Sequence, residues 1–298
     1  MPAEAGVDIG PMSLLCQPDI RSHYTKAWAE EKKRSDAGAP SLHGPRCEDL
    51  VVRPIYLEML RDLRIAVGQG AGEVLDVGSG AGRWVRFFEE QVKPRTLTGV
   101  DVTAESVELL RSRHASTPTT RLEFGVADIT GPFAGLGLAP ERFDLVNIAN
   151  VLFHIPEHDL FANALANLRR LVKPGGCVVT TEYLPRTDMR TPWMLVRSRY
   201  NFERLVSQAG LRIAMVRAFT VFSNDPMGID GPDDGTRAVF NRVRQRLQVV
   251  ADSLSDDASR AFFDELRADI DRAVLGFCKE RMAEIEMPSQ KLVALVPA

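Results

Sequence analysis

From Val74 onward, short apolar runs alternate with stretches of helical period, and this alternation limits the possible folds more than any other property of the chain. The runs "EVLDVG" (73–78), "TLTGVDV" (96–102), "RLEFGVADI" (121–129), "RFDLVNIAN" (142–150), "CVVTTEYL" (177–184) and "LRIAMVRAFTVF" (211–222) read as strands. Between them, residues 82–91, 104–114, 157–172 and 200–210 read as helices, with Pro174-Gly175-Gly176 stopping the third of these. Strands that are apolar at nearly every position are buried on both faces. Their regular interleaving with helices predicts an α/β fold, a parallel sheet covered on both sides. A last run, "QKLVALVP" (290–297), adds one more strand.

Two segments depart from the alternation. Residues 1–70 are expected to form a helical extension or cap, with helices over 19–35 and 47–67. Residues 223–286 begin Asp/Gly/Pro-rich and turn strongly helical. There Val239, Phe240, Val243, Leu247 and Val250 fall on one helical stripe, and Phe263, Leu266, Ile270, Val274 and Cys278 on another. The domain reading is therefore a core of 71–222 plus 287–298, interrupted by a helical insertion at 223–286 and preceded by the extension.

A net charge of −3 offers no general attraction to nucleic acid or to an anionic membrane. No apolar run approaches the roughly 20 residues needed to cross a bilayer, and the N-terminus lacks the basic start and apolar stretch of a signal peptide. Cys16, Cys47, Cys177 and Cys278 form no CxxC pair and no zinc spacing, so reduced thiols and no metal are expected. These features predict a cytoplasmic protein with no nucleic-acid and no membrane partner; a monomer or homodimer is expected, with nothing in the sequence to choose between them.

The first strand ends in "GSGAG". Gly78, Gly80 and Gly82 permit backbone conformations closed to other residues and remove Cβ atoms where something must approach the main chain. In an open parallel sheet, ligands bind beyond the C-terminal strand ends where strand order reverses. Asp101 ends the second strand, where a carboxylate can accept from both ribose hydroxyls of an adenosine. Asp128 ends the third, placed to accept from an adenine amine. The spacing is G-x-G-x-G rather than the dinucleotide pattern G-x-G-x-x-G. Asp76, just before the turn, suits a ligand with a cationic amino-acid end better than a pyrophosphate.

"VLDVGSGAG", "GVDVT", "GVADI", "FDLVNIANVLFHI" and "LRRLVKPGGCVVTTE" together resemble, in order and spacing, the class I S-adenosylmethionine-dependent methyltransferases of small-molecule type. The resemblance covers residues 74–222 and the last strand. It implies a doubly wound seven-stranded sheet ordered 3-2-1-4-5-7-6, the last strand antiparallel. It further implies S-adenosylmethionine as cofactor and S-adenosylhomocysteine as its product. On this resemblance Asp76, Gly78, Ser79 and Gly80 hold the methionine part, Asp101 and Val102 the ribose and adenine edge, and Asp128 and Ile129 the adenine. Asn150 would lie near the sulfonium.

Candidate catalytic groups at strand exits are His154 and Glu182, one of which could serve as a base for a hydroxyl or carbon acid acceptor. The loop 183–199 carries Arg186, Arg190, Arg197 and Arg199 beside Trp193. With Tyr24 of the extension, these are the candidate substrate-binding residues. Guanidinium forks match phosphate and carboxylate, so an anionic acceptor is expected: a phosphorylated or nucleotide-linked sugar, a prenyl diphosphate, or a carboxylated natural product. The insertion 223–286 is expected to leave from the same edge and act as a lid. A nucleic-acid methyltransferase is disfavoured, because "NIAN" replaces the N/D-P-P-Y/F motif and there is no Pro-Cys dipeptide. The alternatives kept open are a protein methyltransferase and a binder of the same cofactor that does not methylate.

Overall fold

The structure, a computed structural model, describes residues 20–36, 48–190, 194–221 and 234–298. Two helices lead in, α1 (Ile20–Asp36) and α2 (Asp49–Asp62). The alternating part follows as β1 (Glu73–Val77), α3 (Arg83–Phe87), β2 (Thr96–Asp101), α4 (Ala104–Arg113), β3 (Arg121–Val126), β4 (Phe143–Ile148), α5 (His158–Leu171) and β5 (Val172–Glu182). A two-stranded hairpin, β6 (Met189–Arg190) and β7 (Leu195–Val196), precedes α6 (Arg199–Gln208) and β8 (Leu211–Thr220). The described part of the insertion is two helices, α7 (Asp234–Ser253) and α8 (Asp257–Lys279), and β9 (Gln290–Pro297) closes the chain.

The seven long strands form one sheet in the order β3-β2-β1-β4-β5-β9-β8, as expected. β1 to β5 are mutually parallel, and β9 runs antiparallel to both β5 and β8. β8 is therefore parallel to β5, and its end at Thr220 lies on the same edge as the ends of β1 to β5. Strand order reverses between β1 and β4, so the crevice for a ligand opens beside the exit of β1.

Successive side chains of a strand face opposite ways, and here both faces are covered. Val74 and Leu145 look toward α2, α3 and the insertion, in a core with Tyr56, Met59, Phe87 and Phe88. Leu75 and Val146 look toward α5 and α6, in a core with Phe161, Leu165, Leu168 and Phe202. This two-sided burial is why the strands read as unbroken apolar runs.

Three local features depart from the sequence reading. Residues 172–176 extend β5 rather than forming a helix stop: Val172 pairs with Phe143, and a register shift absorbs the Pro-Gly-Gly. Beyond Phe87 the helix widens into a π-helical turn, Phe88–Val92, closed by Lys93 at φ 56°. The β6–β7 hairpin carried no legible signal, each arm being two residues long. In the insertion, Phe240, Val243, Leu247, Ile270 and Val274 pack onto the core as the stripes imply. Val239, Val250 and Leu266 of the same stripes remain exposed.

Candidate functional site

All three glycines after β1 have left-handed backbones, with φ of 69° at Gly78, 53° at Gly80 and 89° at Gly82. The turn is tied to β2, since the N–H groups of Gly78 and Ser79 both donate to Val100 O at 2.8 and 3.1 Å. Ser79 Oγ donates to Asp76 O at 2.9 Å, and Ser106 Oγ donates to Gly80 O at 2.8 Å. Each missing Cβ has a definite neighbour. One on Gly78 would lie 2.4 Å from Val151 Cγ2, one on Gly82 2.3 Å from His114 Nε2, and one on Gly80 2.8 Å from the indole of Trp28. Part of what approaches this bare backbone is thus the protein itself, including a helix from the far N-terminal side.

The three candidate acids sit at consecutive strand exits in different states. Asp101 is buried; Oδ2 accepts from Gly80 N at 3.1 Å, and Oδ1 from Thr103 N and Oγ1 at 3.0 and 2.9 Å. An ionised carboxylate has about four acceptor positions, so one is left for a ligand hydroxyl. Asp128 is exposed, with Oδ1 accepting from Thr130 N and Oγ1. Ile129 beside it is buried, and its carbonyl accepts from Asn167 Nδ2 at 2.8 Å. Val102 is half-buried next to Asp101. Asn150, at φ 60°, accepts on Oδ1 from Thr181 Oγ1 at 2.9 Å and Gln290 Nε2 at 2.8 Å, which ties the exit of β4 to β5 and β9.

Asp76 is the most unusual of the acids. It is buried within β1, and Oδ1 accepts from Asn147 Nδ2 at 2.7 Å; Asn147 in turn accepts from the Tyr56 hydroxyl at 3.1 Å. Oδ2 is buried without a hydrogen-bond partner among the described residues. Burial pushes the carboxyl up to about 7, against the pull of the Asn147 and Ser79 hydrogen bonds. Tyr56 and Asn147 escaped the sequence reading, although an asparagine within the apolar run "FDLVNIAN" is a visible signal of a buried polar network.

His154, a candidate catalytic group, ends a short 3-10 turn, Leu152–His154, after β4. Its ring meets Tyr24 of α1 edge-on at 5.5 Å between centroids and lies 4.7 Å from Phe153, which continues to Tyr183 at 5.9 Å. Burial, with the charge of Asp101, pushes the Tyr24 hydroxyl up to about 12. Glu182, the last residue of β5, is buried and accepts from Thr180 Oγ1 at 3.2 Å; burial raises it to about 8.

The four arginines do not converge on one anion site. Arg197 turns inward: it is 2% exposed, its guanidinium stacks 3.6 Å over Phe161, and Nη2 donates to Ile155 O at 2.8 Å. Burial lowers it to about 10, and Nε and Nη1 lack hydrogen-bond partners among the described residues. Arg199 faces outward, donating from Nε to Glu203 Oε1 at 2.8 Å, with Glu286 at 3.7 Å. Arg186 and Arg190 are exposed, and Trp193 lies outside the described residues. Arg197 lies between β7 and α6 while Arg199 opens α6, so the chain turns between them and the two guanidinium groups diverge, which no count of charges reveals.

Among the described residues no cluster of His, Cys, Asp and Glu can hold a metal, and no helix is long and apolar enough to cross a membrane. The donor set fits a cationic adenosine ligand. A buried carboxylate oxygen without a donor is costly, and an ammonium or sulfonium group on the ligand would relieve it. Asp101 retains an acceptor position, and Asp128 stands open to the third strand exit.

Residues 74–176 match a family described as "Methyltransferase domain". The chain is 26% identical over 174 residues to a fatty-acid O-methyltransferase of Mycolicibacterium smegmatis, covering 58% of this chain and 56% of that protein. It is 33% identical over 138 residues to the erythromycin 3''-O-methyltransferase of Saccharopolyspora erythraea, covering 45% and 42% respectively. The chain thus spans about half the length of these relatives. Among solved structures, the [4+2]-cyclase SpnF superposes with a TM-score of 0.54 at 17% identity, over 94% of this chain and 96% of that one. At that identity the likeness speaks for the fold alone. Residues 74–176, the stretch that matches this family, supply strands β1 to β4 and the start of β5 in the seven-stranded sheet.

Proposed function

We propose that this chain is an S-adenosylmethionine-dependent methyltransferase that acts on a small-molecule acceptor, by O- or C-methylation. The observation that carries the reading is the trio Asp76, near the end of β1, Asp101 and Asp128 around a left-handed glycine turn, with one buried oxygen of Asp76 unpartnered among the described residues. When bound, the cofactor supplies a methyl group already activated on a sulfonium, so the protein's share of the work is alignment and exclusion of water. Asp101 accepts from a ribose hydroxyl at its remaining position, Asp128 from the adenine amine, and Asp76 offsets the positive end. Asn150 holds the exit of β4 against β5 and β9 beside the reacting centre.

His154 and Glu182 are the two groups on the acceptor side that can take a proton. Glu182, raised to about 8, would be largely protonated near neutrality and becomes a base as the pH rises. With Arg197 and Arg199 withdrawn, an anionic acceptor group would be met by Arg186 and Arg190. The named relatives are O-methyltransferases of a fatty acid and of erythromycin, and an acceptor from natural-product biosynthesis fits the aromatic row His154–Phe153–Tyr183, whose two ends are half-buried. Incubation with labelled S-adenosylmethionine and a metabolite extract tests the reading. Acceptor-dependent formation of S-adenosylhomocysteine, lost in Asp101→Ala, is expected; donor uptake without turnover would instead make the chain a binder or a catalyst of another reaction.

A further inference from the structure

Helix α1 stands over the glycine turn, and its residues bear on the cofactor site rather than only on the acceptor. Gly80 already spends its N–H on Asp101 and its carbonyl on Ser106, so only its Cα face is left to meet anything else. The benzo edge of the Trp28 indole covers that face, 2.8 Å from where a Cβ would stand. One helical turn earlier, Tyr24 lies within electrostatic reach of Asp101 and meets His154 edge-on. Positions 24 and 28 share a helix face, and 31 continues it. The two aromatics therefore form a strip running from the glycine turn, past the ribose carboxylate, to the candidate base.

The strip is held from the other side. Glu31 is fully buried and accepts from Arg113 Nη2 at 3.0 Å, while Lys32 pairs with Glu108; both partners are on α4. That helix is itself capped by Thr103, whose hydroxyl also donates to Asp101. Few residues of "IRSHYTKAWAEEKKRSD" are apolar. With little hydrophobic area of its own, α1 relies on contacts such as those of Tyr24, Trp28 and Glu31 to stay docked, and the first two border the proposed cofactor cleft.

We propose that Trp28 and Tyr24 are cofactor-contacting residues, that Glu31–Arg113 is the latch that presents them, and that docking of α1 and binding of the cofactor reinforce each other. The proposal rests on the cofactor site described above. A ligand that packs against Trp28 and Tyr24 gains those contacts only while the helix is docked, so docking and binding share a favourable coupling free energy, and that coupling is reciprocal.

Calorimetric titration with S-adenosylhomocysteine, together with hydrogen exchange of residues 20–36, tests it. Trp28→Ala should weaken binding about tenfold or more, while Trp28→Phe, which keeps a flat ring over Gly80, should stay within about threefold. Glu31→Gln, remote from the ligand, should also weaken binding. In the wild-type protein the ligand should slow exchange across 20–36, a readout independent of whether any variant folds. Equal affinity of wild type and Trp28→Ala, or exchange in α1 indifferent to the ligand, would overturn the roof and leave the cofactor site standing. Failure of the wild-type protein to bind at all would overturn both.

Discussion

Asp76, proposed to face the positive end of the ligand, stands there at the expense of the fold. Its carboxyl rises to about 7 because burial penalises the charge more than Asn147 and Ser79 repay it. A carboxyl whose folded value lies above its unfolded one weakens the fold as pH climbs between the two, here from roughly 4 to about 7. Asp76→Asn should therefore gain melting temperature relative to wild type between pH 5 and pH 8. It should also bind S-adenosylhomocysteine about tenfold more weakly at pH 8. Calorimetry at both pH values reads both effects, and wild-type affinity should fall as the pH drops below about 7.

Gly78 is constrained twice over, by φ of 69° and by Val151 Cγ2 at 2.4 Å from a built Cβ. Gly78→Ala should cost on the order of 1–3 kcal/mol in urea unfolding. Adding Val151→Ala should return part of that loss, since it clears the contact but not the backbone strain. For Glu182, about 8 and buried, the kcat of the wild type should rise with pH through that value if it acts as the base. Glu182→Gln should flatten that limb of the profile.

Among the elements, the turn between β4 and α5 is braced from outside itself. It carries His154, and the carbonyl that follows is held by Arg197, whose guanidinium is also stacked on Phe161 of α5. The arginine is thus a brace for the turn. Arg197→Met, which keeps much of the apolar volume, should lower kcat and melting temperature while leaving the acceptor KM within about threefold. A rise of tenfold or more in KM with unchanged kcat would restore the anion-binding role expected from its position in the sequence. The insertion is secured in a similar way by one buried acid. Asp271 of α8 accepts from Val221 N at 2.8 Å and Thr220 Oγ1 at 3.0 Å, at the exit of β8. Asp271→Ala leaves those donors buried and should destabilise the chain by about 2–3 kcal/mol in chemical denaturation.

At the scale of the whole molecule, the extension and the insertion share a core with the sheet. Phe240 and Val274 from the insertion, and Val52 and Tyr56 from α2, join the cluster that contains Val74 and Leu145. Hydrogen exchange in α8 should accordingly report opening energies close to those of β1 and β4, rather than an independent, weaker unit.

What the amino-acid order determined by itself was local and periodic. Unbroken apolar runs and helical periods placed the strands and most helices, and the glycine turn with Asp101 and Asp128 marked the strand exits proposed for the ligand. The seven-strand order followed from the resemblance those motifs carry. These features were legible because burial on both faces and left-handed backbone leave a direct imprint on residue type. Direction and partnership belonged to the tertiary structure. Nothing local says that Arg197 points inward and Arg199 outward, that Asn147 and Tyr56 serve Asp76, or that Trp28 closes over Gly80 across a long stretch of chain. Each of these is a contact between residues distant in sequence or a choice between two sides of a backbone. Such choices are settled by packing, where one arrangement of bulky and charged groups fills the space and satisfies the buried donors.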